Sequence, residues 1–530
     1  MKSLMKKVFA AAAAIATVFG LAATTVATAN AAGGNATLTV STKDAKFAGK
    51  TVNAYKMFSA TVSSDGGAVS HTLTDGWKPF FMSSTLDGLT GVTDANVNDK
   101  ANEYVSKLKD STLVAFATKA SNWAQTKANN ITADATATVS ADASNGKYTA
   151  TFTGLGYGYY VVAVPGATLA NAKSQYATLV SVHSTKVTAE IKGNLPTVDK
   201  KVQVDGTGKD ATDAKIGDTL TFTLTSTIPD MSAYDTYTFN FKDTLSKGLT
   251  FGQVKSVKVE NVTLTENTDY TVTTPTASNN NTLTVAMKDF KTKQQANAGK
   301  KITVTYTATL NENAVVGGAG NVNSAKIQYS NNPSTNGTGE SEPSKVRVFT
   351  YGFTVDKYTG DYGENATRLA GAEFTLAHKD GSAISFVQVS AGSATANAVY
   401  RVAKAGETGT TTITTPANGK VVFEGLKNGE YTLTETKAPA GYNKLASAIG
   451  VKVNGQNNGT DTTNATVTIT YNNDNGNDYN QTASNGVIPV QNKSGAILPG
   501  TGGMGTIAFT VIGVLVIALG VAWTLKRKNA

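Results

Sequence analysis

Short runs in which apolar and polar residues alternate recur along most of this chain. The run Ala36–Val40, for example, reads Ala-Thr-Leu-Thr-Val, and Asn, Gly and Asp bound many such runs. Alternation with a period of two predicts β-strands that bury one face, and Asn, Gly and Asp predict the turns between them. The pattern therefore predicts an all-β protein built from many short strands.

One segment, from about Asp94 to Lys109, has helical rather than strand periodicity. Its apolar residues recur three and four positions apart: Val97, Ala101, Tyr104, Val105 and Leu108. This spacing predicts a helix with Asp94 as its N-cap, so we expect some helix in the N-terminal domain.

The length of 530 residues is enough for about three domains. Shifts in pattern divide the chain into a leader, three domains and a tail, which we place at 1–31, 32–195, 196–350, 351–493 and 494–530. A Thr-Val-Asp-Lys repeat at 197–200 and 354–357 opens the second and third domains.

Each copy of this repeat places a lysine on an apolar strand face. Lys200 shares its face with Val198 and Val202, and Lys357 shares its face with Val355. Lysine is almost never fully buried without a partner. Both lysines are therefore either functional buried groups or residues at strand edges whose amines reach water. The adjacent Lys201 points the other way and is predicted to be solvated.

A second repeat, Gly-Leu-x-x-Gly-x-Tyr, occurs at 154–160 and 425–431. Because no following helix or βαβ unit supports a phosphate-binding loop, we predict a tight turn into a strand. In the second copy this strand carries Glu435 on the apolar face. The equivalent position in the first copy is Val164.

Further polar residues share apolar strand faces in the second and third domains. Asp243 lies in register with Phe239 and Phe241, and two asparagines, Asn323 and Asn492, lie late in the second and third domains. We therefore predict that each of these two domains holds a lysine on its first strand, an acid midway and an asparagine on its last strand.

Buried lysine, acid and asparagine together can form a covalent bond. Burial disfavours charge on the lysine and the acid, and a neutral amine is a nucleophile. A protonated carboxyl can polarise the asparagine carbonyl, so attack by the amine expels ammonia and leaves a Lys–Asn isopeptide bond. We expect the pairs Lys200–Asn323 and Lys357–Asn492, promoted by Asp243 and Glu435. Such bonds would supply stability in a chain that has no cysteine.

The N-terminus has the features of a secretory signal peptide. A basic segment at 1–7 precedes an apolar run at 8–27, and Ala29-Asn30-Ala31 forms a small-residue cleavage site. This site favours a cleaved leader over an N-terminal membrane anchor. The formal net charge of +9 includes three basic residues here and three in the tail, which leaves +3 between them and gives no indication of nucleic-acid binding.

The C-terminus combines a short motif with a membrane-spanning pattern. Leu498-Pro499-Gly500-Thr501-Gly502 precedes an uncharged stretch at 507–525 and the basic cluster at 526–528. The arrangement resembles a sortase sorting signal of the LPxTG type. The resemblance implies cleavage between Thr501 and Gly502 and transfer of the Thr501 carbonyl to an amine. The alternative is an ordinary tail-anchored protein.

The stretch from Tyr431 to Tyr442, which contains Glu435, resembles the E-box of sortase-assembled Gram-positive pilins. The chain as a whole resembles their backbone, or major fimbrial, subunits. The resemblance implies tandem immunoglobulin-like β-sandwich domains of the collagen-adhesin B type. It also implies a secreted, wall-anchored shaft of identical subunits joined head to tail, with a transient membrane intermediate. Implied partners are pilin-specific and housekeeping sortases, peptidoglycan, tip or accessory pilins and a host surface ligand.

Such subunits carry an acceptor lysine at the end of the first domain, usually within a Tyr-Pro-Lys type motif. That motif is missing here, and Lys192, just before the domain junction, is the first candidate, with Lys186 as the second. The other function class that the sequence leaves open is a monomeric wall-anchored adhesin. We expect neither an enzyme that turns over nor a cofactor, and His71, His183 and His378 lack metal-ligand spacing.

Overall fold

The structure is a computed structural model that describes residues 35–63, 69–142, 146–167, 177–191, 193–331, 337–456, 465–473 and 478–495. One compact unit comprises the chain up to Thr350 together with residues 456–466, and the other comprises residues 351–455 and the chain from Val467 onward. The described strands form six sheets, and each of three pairs of sheets draws its strands from one continuous part of the chain. The prediction of an all-β protein with some N-terminal helix is confirmed.

The N-terminal part of the first unit has two sheets, which we call the first sheet pair. Its described strands are β1 (Ala36–Thr42), β2 (Thr51–Val62), β3 (Val69–Leu73), β4 (Ala135–Thr138), β5 (Ser140–Asp142), β6 (Lys147–Leu155), β7 (Gly158–Ala163), β8 (Ala177–Val182) and β9 (Lys186–Glu190). They form a four-stranded sheet in the order β5-β6-β1-β9 and a five-stranded sheet in the order β3-β2-β7-β8, with β4 paired to β2.

Three helices cover the five-stranded sheet: α1 (Lys78–Met82), α2 (Val97–Ser106) and α3 (Asp110–Gln125). Their buried residues share one core with the sheet, in which Phe80 and Phe116 of the helices pack with Phe58 and Tyr159 of the strands. The first sheet pair is therefore stabilised by a helical layer with a large aromatic core.

Helix α2 confirms the predicted helix, but its N-cap was predicted wrongly. The helix begins at Val97, so Asn96 rather than Asp94 occupies the N-cap position, and Asn96 Oδ1 accepts a hydrogen bond from the Thr93 N–H at 2.7 Å. Val97, Ala101 and Val105 are buried as the helical spacing requires.

The second sheet pair lies between Asp199 and Phe349. Its strands are β10 (Asp199–Val204), β11 (Thr207–Lys209), β12 (Ala211–Asp213), β13 (Thr219–Thr227), β14 (Phe239–Leu245), β15 (Leu249–Val259), β16 (Val262–Thr263), β17 (Tyr270–Thr273), β18 (Thr282–Met287), β19 (Lys301–Leu310), β20 (Asn321–Ser330), β21 (Thr338–Glu340) and β22 (Ser344–Phe349), with one short helix, α4 (Phe290–Gln294). The six-stranded sheet has the order β11-β10-β13-β19-β15-β16. The seven-stranded sheet has the order β12-β22-β20-β14-β18-β17, with β21 paired to β20.

The third sheet pair forms most of the second unit. Its strands are β23 (Tyr351–Thr359), β24 (Thr367–Arg368), β25 (Glu373–His378), β26 (Phe386–Ser390), β27 (Ala398–Val402), β28 (Ile413–Thr414), β29 (Lys420–Leu426), β30 (Gly429–Lys437), β31 (Ile449–Gln456), β32 (Thr466–Asn472), β33 (Gln481–Thr482) and β34 (Val487–Gln491). One sheet has the order β24-β23-β29-β27-β26, with β34 paired in parallel to β23. The other has the order β28-β25-β30-β31-β32-β33.

Both copies of the Gly-Leu-x-x-Gly-x-Tyr repeat form the predicted tight turn between two strands. The first glycine of each has a positive φ, +72° at Gly154 and +84° at Gly425, which favours glycine. The tyrosine hydroxyl then donates to a backbone carbonyl four residues earlier, at 2.6 Å for Tyr160 and 2.7 Å for Tyr431. The repeat is therefore a structural turn that aligns the following strand.

The predicted leader, Lys192, the motif at 498–502 and the apolar stretch at 507–525 lie outside the described residues. Within the part of the chain that the structure describes, we find no helix with the length and apolar character needed to cross a membrane.

Candidate functional site

Lys200 and Lys357 are the fully buried lysines of the described chain, each with an exposure of 0%. Lys200 lies on β10, between β11 and β13, and Lys357 lies on β23, between β29 and β34. Neither amine reaches water, so the alternative that both lysines extend to solvent from strand edges is wrong.

The second sheet pair brings Lys200, Asp243 and Asn323 around a fourth residue, Tyr306. Asp243 Oδ2 accepts hydrogen bonds from Lys200 Nζ and, at 2.7 Å, from the Tyr306 hydroxyl. The same hydroxyl accepts from Lys200 Nζ at 2.8 Å and from Asn323 Nδ2 at 2.6 Å. All four side chains are buried. We call this group the middle cluster.

Burial shifts the pKa values of two members of the middle cluster, Lys200 and Tyr306. Burial lowers the pKa of Lys200 to about 8, although the Asp243 carboxylate acts in the opposite direction. Burial, together with Asp243, raises the pKa of Tyr306 well above its usual value, so the phenol keeps its proton. The lysine is thus far closer to its neutral, nucleophilic form than a solvated lysine.

The third sheet pair brings Lys357, Glu435 and Asn492 together, which we call the third cluster. Lys357 Nζ lies 3.0 Å from Glu435 Oε1. Asn492 Nδ2 donates to Glu435 Oε2 at 3.0 Å, and the Leu445 N–H donates to the same oxygen at 2.7 Å. Asn492 Nδ2 also donates to the Asn443 carbonyl at 2.9 Å. Burial lowers the pKa of Lys357 here as well.

The two clusters differ in how they span their sheets. Lys357 and Asn492 belong to neighbouring parallel strands, since β23 pairs with β34 and Asn492 follows β34 directly. Lys200 lies in the six-stranded sheet, whereas Asp243 and Asn323 lie on neighbouring strands of the opposing sheet. A bond in the middle cluster would therefore join two sheets, and a bond in the third cluster would join two strands of one sheet.

The prediction that each asparagine lies on the last strand is wrong for the middle cluster. Asn323 is on β20, which is followed by β21 and β22. The last strand, β22, pairs with β20 and so lies next to Asn323 without supplying the polar group. Strand order in a mixed sheet does not follow chain order, and alternation alone could not reveal it.

These clusters have the groups needed to form a Lys–Asn isopeptide bond with loss of ammonia. Each holds an amine, a carboxyl group and a carboxamide in a site without water contact. The Oδ1 atoms of Asn323 and Asn492 are buried and make no hydrogen bond within the described chain. Buried polar atoms without partners are rare and often mark reactive sites, because leaving them unpaired costs about 1–3 kcal/mol each.

Several other predicted residues can be located. Lys201 points away from the cluster and forms an ion pair with Asp210 at 2.5 Å. Val164 is buried, with an exposure of 2%. Lys186 is exposed at the start of β9, which runs parallel to β1.

Three contacts of the clusters were not predicted from sequence. Tyr306 lies in an alternating run, where a tyrosine is typical of core packing, and the backbone groups of Leu445 and Asn443 leave no sequence signal. A buried phenol usually has a hydrogen-bond partner, and that tendency was the available indication for Tyr306. Asp356, in the Thr-Val-Asp-Lys copy at 354–357, is also buried, and it forms an ion pair with Arg368 at 2.6 Å.

We expect the stability of an Asn323→Ala protein to rise with pH. This variant cannot form the bond, so Lys200 titrates. Its pKa of about 8 lies below the ordinary 10.5, so between these values the unfolded chain binds more protons than the folded one. From pH 8 to 10 the free energy of unfolding of the second sheet pair should increase by about 2 kcal/mol, measured by denaturant titration.

The control is Lys200→Met/Asp243→Asn/Asn323→Ala, which removes the lysine and the acid of the cluster and keeps Tyr306. Subtracting its profile removes the contribution of tyrosines, whose ionisation affects stability near and above pH 10. An Asn323→Ala profile that parallels the control from pH 8 to 10 would contradict the prediction.

Two parts of the chain match known protein families. Residues 216–333 match the Gram-positive pilin backbone subunit 2, Cna-B-like domain, and residues 359–468 match the SpaA prealbumin-like fold domain. Pilin backbones are structural proteins rather than enzymes.

The chain also resembles individual proteins. The Trypsin-resistant surface T6 protein of Streptococcus pyogenes serotype M6 is 26% identical over 282 residues, which are 48% of this chain and 45% of that protein. The chain thus matches less than half of this relative's length. The solved T6 backbone pilin of the same organism is 17% identical with a TM-score of 0.45, over 87% of this chain and 99% of that one. The full-length major pilin SpaD of Corynebacterium diphtheriae is 20% identical with a TM-score of 0.41, over 87% and 98%.

Proposed function

We propose that this chain, which matches a Gram-positive pilin backbone domain and a prealbumin-like fold domain, is the shaft subunit of a covalently polymerised pilus anchored to a Gram-positive cell wall. The observation that carries the proposal is the pair of buried lysine–acid–asparagine clusters, one in each of the second and third sheet pairs. A shaft subunit must withstand pulling along a chain of single molecules. Internal covalent links provide that resistance in a protein without cysteine.

In each cluster the lysine Nζ attacks the asparagine Cγ, the Cγ–Nδ2 bond breaks, and ammonia leaves. Asp243 and Glu435 move the proton from the amine to the departing nitrogen and end unchanged. The links Lys200–Asn323 and Lys357–Asn492 each close a loop of more than a hundred residues. A loop of that size constrains the unfolded chain by about 5 kcal/mol.

Export, anchoring and polymerisation are part of the same proposal. We assign residues 1–31 to a signal peptide, 32–195 to a first domain without a cross-link, and 196–350 and 351–493 to the cross-linked domains. Sortases would cut after Thr501 and transfer its carbonyl to Lys192 or Lys186 of the next subunit, or finally to peptidoglycan. Tip or accessory pilins and a host surface ligand are further partners of such a shaft.

We expect this chain, expressed in a Gram-positive host with a pilin-specific sortase, to give a boiling-resistant ladder in denaturing gels of wall extracts. Covalent joints survive detergent and heat, whereas non-covalent polymers dissociate. Deleting residues 498–502 should abolish the ladder and leave monomer outside the wall fraction. Lys192→Arg should abolish the ladder while monomer is still anchored.

Lys186→Arg is the matched variant, because it changes the other candidate acceptor in the same conservative way. A ladder lost with Lys186→Arg and kept with Lys192→Arg would reassign the acceptor. A single wall-bound monomer band from the unchanged chain, with the sortase active on a known pilin, would contradict the shaft and favour a monomeric adhesin.

A further inference from the structure

One hydroxyl group joins the three reactive side chains of the middle cluster. The Tyr306 oxygen lies within 2.8 Å of Lys200 Nζ, Asp243 Oδ2 and Asn323 Nδ2. Within the described structure, Asn323 makes no side-chain hydrogen bond directly to Asp243, and the hydroxyl bridges the two. Tyr306 is therefore placed between the acid and the nitrogen that must leave.

The third cluster reaches the same arrangement without a hydroxyl. There Asn492 Nδ2 bonds directly to Glu435 Oε2 at 3.0 Å. Glutamate is one methylene longer than aspartate, so its carboxyl group can extend to the amide by itself. In the middle cluster the phenol occupies the place between the shorter acid and the amide.

We propose that Tyr306 is a catalytic residue of middle-domain isopeptide formation, and that its hydroxyl passes a proton from Asp243 to the departing nitrogen of Asn323. This inference rests on the proposed Lys200–Asn323 bond. It distinguishes the mechanisms of the two clusters. The middle cluster transfers the proton from its acid through a phenol, and the third cluster transfers it directly from its acid.

The step balances from the neutral amine and the protonated carboxyl, which differ from the ion pair by one proton transfer. Lys200 Nζ forms a bond to Asn323 Cγ. In the resulting tetrahedral adduct Nδ2 is a basic amine nitrogen, and the Tyr306 hydroxyl, which donates to the Asp243 carboxylate in the ion pair, turns to donate to Nδ2. Asp243 gives its proton to the Tyr306 oxygen as the Tyr306 proton passes to Nδ2. The Cγ–Nδ2 bond breaks, ammonia leaves with the bonding electron pair, and Asp243 takes the surplus proton from Nζ.

The ring of Tyr306 is held independently of its hydroxyl. It stacks on Phe222, with ring centroids 5.3 Å apart, and also packs near Phe251 at 6.1 Å. Tyr306→Phe should therefore keep the ring in place and the domain folded, while removing the bridging oxygen alone.

The test follows intact mass over time in freshly synthesised protein of residues 32–493. The unchanged chain should show both ammonia losses at the first time point. Tyr306→Phe should lose ammonia promptly in the third domain but about 10²-fold more slowly in the middle domain, the usual effect of losing a proton-transfer group. Tyr237→Phe is the matched control. It removes a buried hydroxyl of the same domain that makes no hydrogen bond within the described chain, and it should leave both losses prompt.

A second variant distinguishes proton transfer from a merely structural role. In Tyr306→Phe/Asp243→Glu the longer acid should reach Asn323 directly, as Glu435 reaches Asn492, and recover middle-domain bond formation at least tenfold over Tyr306→Phe. Prompt bond formation in Tyr306→Phe, or no recovery in the double variant, would overturn the inference. An unchanged chain with its full sequence mass would instead overturn the proposed bonds themselves.

Discussion

Protein comprising residues 32–493 is expected to have an intact mass two ammonia molecules below its sequence mass. Each cluster holds an amine, an acid and a carboxamide in a buried site, and each bond releases one ammonia. Asp243→Ala should restore the mass of one ammonia, because Lys200 loses its proton acceptor. Glu435→Ala should restore the other, and the double variant should have the full sequence mass. Peptide mapping should place the cross-linked peptides at 200 with 323 and at 357 with 492.

Two lysine variants provide the control for this prediction. Lys200→Ala should restore the mass of one ammonia. Lys201→Ala should not, because Lys201 points away from the cluster and pairs with Asp210. A deficit that survives Lys200→Ala and disappears with Lys201→Ala would reverse the assignment. The full sequence mass in the unchanged protein would exclude both bonds.

Strand periodicity was sufficient to place most of each cluster. A residue on a strand shares its face with those two positions away, so Lys200 and Asp243 could be assigned to the buried face from their apolar neighbours alone. The structure places each on a strand with alternating buried positions, β10 and β14. Glu435 was assigned in the same way and lies on the buried face of β30.

Which strands become neighbours could not be predicted by the same reasoning. Alternation states which face is buried but not which strand lies opposite, so Asn323 was expected on a last strand and lies on β20. Tyr306 alternates with threonines on β19, a pattern typical of ordinary packing. Its position between Lys200, Asp243 and Asn323 depends on two sheets meeting face to face.

The helical layer of the first domain was also underpredicted. Helix α2 has a clear apolar stripe, whereas α3 mixes Ser, Thr and Asn with its apolar residues. Those residues have weak helix propensity, so α3 depends on packing its apolar side against the sheet. Tertiary contact of this kind has no local sequence signal.

The first domain differs from the other two in the groups that it buries. The buried polar residues of its described part are His71, Ser121 and Gln125, which include neither a lysine nor an acid. Val164 occupies the place of Glu435, and β1 buries only apolar residues. We therefore expect packing alone to hold this domain, near the usual total stability of roughly 5–15 kcal/mol.

Limited proteolysis should accordingly cut within residues 32–195 first and leave a resistant fragment that begins near Leu195. The rate at which a protease cleaves a folded domain is proportional to the small fraction of molecules in which that domain is open. A cross-link of about 5 kcal/mol lowers that population by about 10³-fold or more in the other two domains. Gel analysis with N-terminal sequencing of the fragment would measure this.

The Asn323→Ala/Asn492→Ala protein tests the contribution of the links, because it retains both lysine–acid pairs and loses both bonds together with the two asparagine side chains. Its resistant fragment should disappear about 10³-fold faster than that of the unchanged protein, while cleavage of the first domain keeps its rate. Two hydrogen bonds between the first and second sheet pairs, Lys50 with the Glu340 carbonyl and Asn122 with Ser232, are exposed and offer the first domain little protection. A first domain as resistant as the others, or a third ammonia loss mapped to it, would contradict this view.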